Sequence, residues 1–392
     1  MGSIFFPDFS CMFLWLQVDV QGSMSTSTVY LARMRIRNPD QNNGVKIRDL
    51  CTAAGLSDII TEGDLTAVKL HFGELGNDTF IKPVFVRSIV DSIREISGKP
   101  FLTDTNTMYI GSRHNAADHL STAIRHGFAY AVVDCPVIIA DGLKGNNYRE
   151  VAINGKHFKT VKIAQDISDS DAMVVLSHVK GHALAGFGGA IKNVAMGCAP
   201  PIGKRDQHQG MQAEINESRC VGCGYCVTQC PFDAIHMGKK ATVDKSVCYG
   251  CSACLQVCPE QAILFHWERD VPRFLERMAE YALGAVSTLK NKVLYISFLM
   301  NITPDCDCVP WSDAPIVPDI GFLASTDPVA IDAAALDLIN KERGLPSSSL
   351  HCHHEPGENK FTGVWDYVDG GYILEYAEKI GLGSRSYTLV ER

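Results

Sequence analysis

The chain has 392 residues, 46% hydrophobic and 20% charged, which allows a sizeable core, excludes wholesale disorder and suits two or three domains. Its net charge of −8 argues against a nucleic-acid partner. No uninterrupted apolar run reaches the roughly 18 residues of a spanning helix, so no membrane partner is expected.

Residues 1–23 read as a leader or an expression extension. Segment 4–20 is apolar, but Pro7 and Asp8 interrupt it and no Lys or Arg precedes it. That makes a poor signal peptide, and the junction Gln21-Gly22-Ser23-Met24 leads us to expect the natural start at Met24.

From there the pattern alternates. Segment 28–36 reads as a strand, and 45–54 as a helix with Cys51 on its apolar face. Segment 65–72 is a buried strand, and 80–96 a helix with apolar residues at a 3.6 period. A strand at 101–103 and a helix at 116–126 follow. Strands are then expected at 137–140, 150–153, 159–163 and 172–176. Segment 205–219 is polar, lacks apolar periodicity and reads as a linker. The pattern resumes with a helix at 271–289, a strand at 292–300, a strand at 321–324 and helices at 327–339 and 370–380. The expected fold class is an α/β domain with a mainly parallel sheet, interrupted by an inserted bacterial two-cluster ferredoxin-like α+β domain. The boundaries are 24–210 for the first part of the α/β domain, 211–266 for the insert and 267–392 for the second part.

The insert carries the strongest signal. Cys220, Cys223, Cys226 and Cys230 precede Pro231, and Cys248, Cys251, Cys254 and Cys258 precede Pro259. Each run is C-x2-C-x2-C-x3-C-P, the ligand spacing of two-cluster ferredoxins, in which the fourth cysteine ligates the other cluster. One 4Fe-4S cluster is therefore assigned to Cys220, Cys223, Cys226 and Cys258, the other to Cys248, Cys251, Cys254 and Cys230. Structural zinc sites use cysteine pairs and lack the third cysteine and the trailing proline. Although the chain has 15 cysteines, reduced cluster-binding thiols imply a cytoplasmic, anaerobic setting rather than a disulfide scaffold.

Further chemistry flanks the insert. After strand 172–176 come Lys180, Gly181 and His182, then Gly186, Gly188, Gly189 and Lys192. Strand, glycine loop and helix start in that order make an anion site, with Gly188 and Gly189 admitting the ligand and Lys180, His182 and Lys192 adding charge. A tight turn with solvated lysines is the plainer reading. His71, on the same strand face as Lys69, is a candidate acid, base or ligand. Cys198, Cys306 and Cys308 leave three readings open: a third metal or iron-sulfur centre, a redox-active thiol pair, or packing. The tract His351, Cys352, His353 and His354 is a dense set of ligand types without a selective spacing. Ser325 or Thr326 is the expected cap of the helix that follows, with Asp327 complementing its dipole.

Several of these segments carry a resemblance. Lys180-Gly181-His182, Ala190-Ile191-Lys192-Asn193, Met196-Gly197-Cys198-Ala199, Asp305-Cys306-Asp307-Cys308 and the run from Ser325 to Asp332 resemble the ferredoxin-containing members of the domain of unknown function 362 family. The match spans most of 65–340, on both sides of the insert. It implies an iron-sulfur protein of anaerobic metabolism and favours a functional role for Cys198, Cys306 and Cys308. The expected function is an iron-sulfur oxidoreductase or an electron-transfer subunit of one, working with a redox partner protein and an anionic small molecule. A non-catalytic electron carrier and a metal- or cluster-handling protein are the alternatives.

Overall fold

The computed structural model describes residues 26–265, 267–290 and 292–392. The expected leader at 1–23 lies outside the described residues.

The apolar strands assemble into one eight-stranded sheet. From one edge to the other it runs Tyr387–Glu391, Ser27–Arg33, Gly321–Ser325, Val293–Leu299, Ala172–His178, Leu65–Lys69, Lys99–Asp104 and Val137–Ile139. Neighbours pair in parallel except around Gly321–Ser325, which is antiparallel to both strands beside it. Ala172–His178 and Val293–Leu299 are buried along their whole length, as central strands covered on both faces should be. Alternate residues serve opposite cores. Met173 and Val175 face helices Ala190–Gly197, Trp267–Ser287 and Pro328–Lys341, while Val174 and Leu176 face helices Asn43–Ala53 and Pro83–Glu95. The chain is thus of α/β character, with a mostly parallel sheet.

Four expectations change. Tyr148–Ala152 and Thr160–Ala164 form a separate antiparallel hairpin, whose Val161 and Ile163 pack in the core that holds Phe274 and Met278. The stretch expected as a linker begins inside a helix, Pro201–His208, whose Gln207 and His208 are buried. These inward residues are polar, so apolar periodicity could not mark them. The cap of helix Pro328–Lys341 is Asp327, whose carboxylate accepts from the amides of Val329 at 2.8 Å and Ala330 at 3.0 Å. The glycine loop after Ala172–His178 is a tight hairpin, with Lys180–His182 antiparallel to Gly186–Gly188. Gly181 is required there, because a Cβ would sit 2.0 Å from the Pro304 carbonyl oxygen. That approach is held by the Gly181 amide donating to Thr303 O at 2.8 Å.

The segment between helices Pro201–His208 and Trp267–Ser287 stays out of the large sheet. Its ends meet as Glu214–Ile215 pairing with Ile263–Leu264, and Ile235–Met237 pairs with Ala241–Val243. Short helices Tyr225–Gln229 and Ala253–Gln256 complete it.

Helix Ala190–Gly197 gains its N-terminal partner from far along the chain. The buried carboxylate of Asp332 accepts from the amides of Ala190 at 2.7 Å and Ile191 at 2.9 Å. Asp332→Ala leaves both amides buried and unpaired. We expect a stability loss of about 2–3 kcal/mol, read from urea unfolding, and a smaller loss for Asp332→Asn, which keeps one acceptor.

Candidate functional site

Parallel strands end together on one side of the sheet, and their last residues open the site. Lys69, Asp104 and His178 are the final residues of three adjacent strands. In open α/β sheets ligands bind at these carboxyl ends. Beyond them lies a cavity of about 320 Å³. Its walls include Lys69, Arg113, Lys180, Lys192 and Lys204 against Glu74 and Asp104, together with His71, His182, Gly188, Gly189, Cys306 and Cys308.

Most of these charges are fixed from behind. Lys69 Nζ lies 3.1 Å from Asp104 Oδ1 and donates to Asn193 Oδ1 at 2.8 Å. Burial works against the Asp104 charge, but Lys69 and other nearby cations outweigh it and lower its pKa. Arg113 Nε pairs with Glu74 Oε2 at 3.0 Å, and both groups are buried. Arg113 also donates to the Tyr109 hydroxyl, which in turn donates to Cys308 O at 3.2 Å. Lys180 donates to His178 O at 2.9 Å and lies 3.3 Å from Asp307 Oδ2. Lys204 is spent on Thr105, Asn106 and Ala199, and burial pushes its pKa down to about 8. Lys192 differs: among the described residues its one polar contact is Cys306 Sγ at 3.6 Å, and no carboxylate pairs with it.

Both candidate histidines are held neutral. Burial first, then Arg113 and Lys180, push the pKa of His71 well below the imidazole norm. Burial and Lys192 do the same to His182. His71 Nδ1 accepts from the Gly73 amide at 3.0 Å. His182 Nδ1 accepts from the amides of Leu184 and Ala185, each at 3.1 Å. A neutral ring accepting at Nδ1 carries its proton on Nε2, so each histidine is an Nε2–H donor.

The structure revises the expected set around the third centre. His182, Cys306 and Cys308 bring ligand atoms within 4.8 Å of one another, a group of the right size to hold a metal ion. Cys198 is not part of it. It is buried in the core at the end of helix Ala190–Gly197, and burial pushes its pKa up to about 12. Cys306 and Cys308 sit on a turn closed by the Val309 amide donating to Cys306 O at 3.1 Å, not on an extended segment. The hydrogen bond between the two thiols, and then Lys192 and Lys180, draw the Cys306 pKa well below its norm against the effect of burial, while that of Cys308 rises. The amides opening helix Ala190–Gly197 do not await an anion, since Asp332 occupies them. Lys180, His182 and Lys192 nevertheless line the cavity. Among the described residues the 351–354 tract forms no comparable ligand group.

The doubled cysteine run makes two further pockets. One is lined by Cys220, Cys223, Cys226 and Cys258, the other by Cys230, Cys248, Cys251 and Cys254. The fourth cysteine of each run thus faces the other run's triplet. Amides of Ala234 and Ala262 donate to the sulfurs of Cys230 at 3.3 Å and Cys258 at 3.2 Å. The second pocket shares Cys251 and Ser252 with the large cavity. His208 ties the two together. It lines the cavity, its Nδ1 lies 3.1 Å from Gly250 O, and burial lowers its pKa to about 4.

Sequence reasoning missed Glu74, Asp104, Tyr109, Arg113, His178 and Lys204. Lys69, Asp104 and His178 share one available signal, a polar residue closing an apolar strand.

An α/β protein with a cation-rich cavity at its strand ends, bordered by cysteine pockets, is the class these features define. The chain belongs to the family described as domain of unknown function (DUF362), which matches residues 66–337. No curated protein matches it. Two solved structures are distantly similar. The lactate racemase apoprotein from Thermoanaerobacterium thermosaccharolyticum shares 12% identity at a TM-score of 0.34, covering 70% of this chain and 51% of that one. A protein from Thermotoga maritima shares 9% identity at a TM-score of 0.37, covering 67% of this chain and 52% of that one. This chain spans about half the length of each. Among the described residues no helix is long and apolar enough to cross a membrane.

The Glu74–Arg113 pair gives a direct test of this scaffold. Removing one partner of a buried pair leaves the other charge uncompensated, at a cost of about 3–5 kcal/mol. Glu74→Ala should lose a stability of that order in denaturant unfolding, while the double variant Glu74→Gln, Arg113→Met recovers part of it.

Proposed function

We propose that this chain is an iron-sulfur oxidoreductase that exchanges electrons between a redox partner protein and an anionic small molecule held in the large cavity. The reading rests on the shared wall: Cys251 and Ser252 border both the second cysteine pocket and the cavity. The residues fit two 4Fe-4S clusters. Each pocket presents four thiols, and an amide already points at one sulfur of each set. Gly250, at a φ of +64°, lets the second loop approach Met211 O where a Cβ would be 2.0 Å away. When bound, such clusters supply single electrons at potentials set by hydrogen bonds to sulfur and by exposure.

The cavity residues would select the other reactant. His71 and His182 are neutral donors, and among the described residues no carboxylate pairs with the Lys192 cation. Glu74 and Asp104 have their charges committed to Arg113 and Lys69. The free chemistry is therefore donor-rich and favours a ligand bearing acceptor oxygens and negative charge.

Anaerobically purified protein should contain about eight iron atoms and as many sulfides per chain. Cys258→Ala should damage the cluster associated with Cys220, Cys223 and Cys226, and paramagnetic resonance should retain the other signal. Damage confined to the Cys248, Cys251 and Cys254 cluster would reverse the assignment.

The anion is tested separately by calorimetry with sulfate, whose charge is constant across neutral pH. A charge-assisted contact is worth about 1.5–3 kcal/mol, so Lys192→Ala should weaken binding at least about tenfold. The depressed pKa of Lys204 means that its charge is present below about pH 8 and lost above it. Binding should therefore weaken as pH rises through that value, and Lys204→Met should lack the step. Unchanged sulfate binding in Lys192→Ala would remove the anionic ligand from the reading.

A further inference from the structure

We infer that Cys306 and Cys308 form a reversible dithiol–disulfide couple facing the cavity, with Lys180 and Lys192 supplying the positive charge that a metal ion would otherwise provide. Geometry allows the bond. The two sulfurs lie within 4.8 Å of each other. Residues two apart are separated by at most about 7 Å, and the turn from Cys306 to Val309 shortens that span into the range of about 4.4–6.8 Å that disulfides bridge.

Three observations favour a thiol couple over a metal. A metal-ligating histidine usually donates from its second ring nitrogen to an acceptor. His182 does the reverse, since its Nδ1 accepts from two backbone amides, and Nε2 then holds the proton where a lone pair would be needed. Next, Lys192 Nζ lies 3.6 Å from Cys306 Sγ, and Lys180 is anchored beside it by Asp307. These ammonium groups balance a thiolate and repel a dication. Finally, Asp307, between the two cysteines, is committed to His178 Nδ1 at 2.8 Å and to Lys180 at 3.3 Å, so it is not a spare ligand.

The sulfur–sulfur bond accepts two electrons and one proton from solvent and opens to a Cys308 thiol and a Cys306 thiolate, whose charge Lys192 and Lys180 balance. The reverse step closes the bond and releases both electrons and that proton. In reduction the electrons derive from a low-potential one-electron donor and pass singly by way of the cysteine pockets. This last step alone rests on the electron-transfer reading proposed above.

Anaerobic iron-loaded protein is equilibrated in dithiothreitol redox buffers, alkylated and analysed by peptide mass spectrometry. Cys306 and Cys308 should lose reactivity together as a two-electron couple, and serine at either position should abolish the transition. Lys192→Gln removes a charge that favours the reduced form. It should shift the equilibrium about tenfold toward disulfide, which is about 30 mV for two electrons. Reduced methyl viologen should also open the bond in the iron-loaded protein. Opening by dithiothreitol but not by viologen would support the couple and sink the electron-transfer reading. Two cysteines that stay alkylatable in every buffer, or a third metal lost only from the Cys306→Ser, Cys308→Ser protein, would overturn the inference.

Discussion

Asp307 is the constraint on which the cavity depends. It is buried between two cysteines, where an isolated carboxylate would cost several kcal/mol. Burial pushes its pKa up, yet His178 and Lys180 outweigh that and hold it well below the usual range. In satisfying itself, Asp307 fixes three things. It locks the ring of His178, whose Nε2 lies 3.0 Å from the carbonyls of Met300 and Asn301. It aims Lys180 along the cavity wall. Its backbone oxygen accepts from the Glu74 amide at 2.9 Å, so the cysteine turn is tied to the loop that carries Glu74.

The same logic extends outward. Three carboxylates near the cavity are matched to cations already anchored in the fold: Asp104 to Lys69, Glu74 to Arg113, Asp307 to Lys180. Internal pairing removes acids from the cavity's free chemistry and leaves Lys192 and two neutral imidazoles unspent. A donor-rich interior arises because the acids have been consumed, not because acids are absent. Asp332 shows this most clearly, since it takes the amides that an external anion would otherwise find.

What the sequence revealed follows from range. The cysteine runs are local, so their spacing is legible in the sequence, and three cysteines of one run and the fourth of the other line each pocket. Central strands were legible because both faces are apolar, as in 172–176 and 292–300. Strand Tyr387–Glu391 was not seen, since its edge position leaves its residues exposed or half-buried and its pattern weak. Helix Pro201–His208 was hidden because Lys204, Gln207 and His208 turn inward as polar groups that bond to distant partners. The buried ion network was illegible for the same reason. Lys69 meets Asn193 across 124 positions, and no local pattern encodes that. Cys198 was placed with Cys306 and Cys308 on strand-end reasoning, yet as the residue closing its helix it packs into the core rather than lining the cavity.

The placement of the cysteine-rich segment follows from how its two ends are joined. Strands Ala172–His178 and Val293–Leu299 are parallel neighbours, although that segment lies between them in sequence. It can intervene without disturbing the sheet because Glu214–Ile215 and Ile263–Leu264 bring its two ends together. Helix Pro201–His208 leads into it and helix Trp267–Ser287 leads out, and His208 rests against Phe274 with ring centroids 4.7 Å apart. That contact fixes the exit from the α/β layer, and the Gly250 carbonyl beside His208 Nδ1 fixes the second cysteine loop. That loop's Cys251 lines the same cavity as Cys306 and Cys308, so the two cysteine systems border one volume.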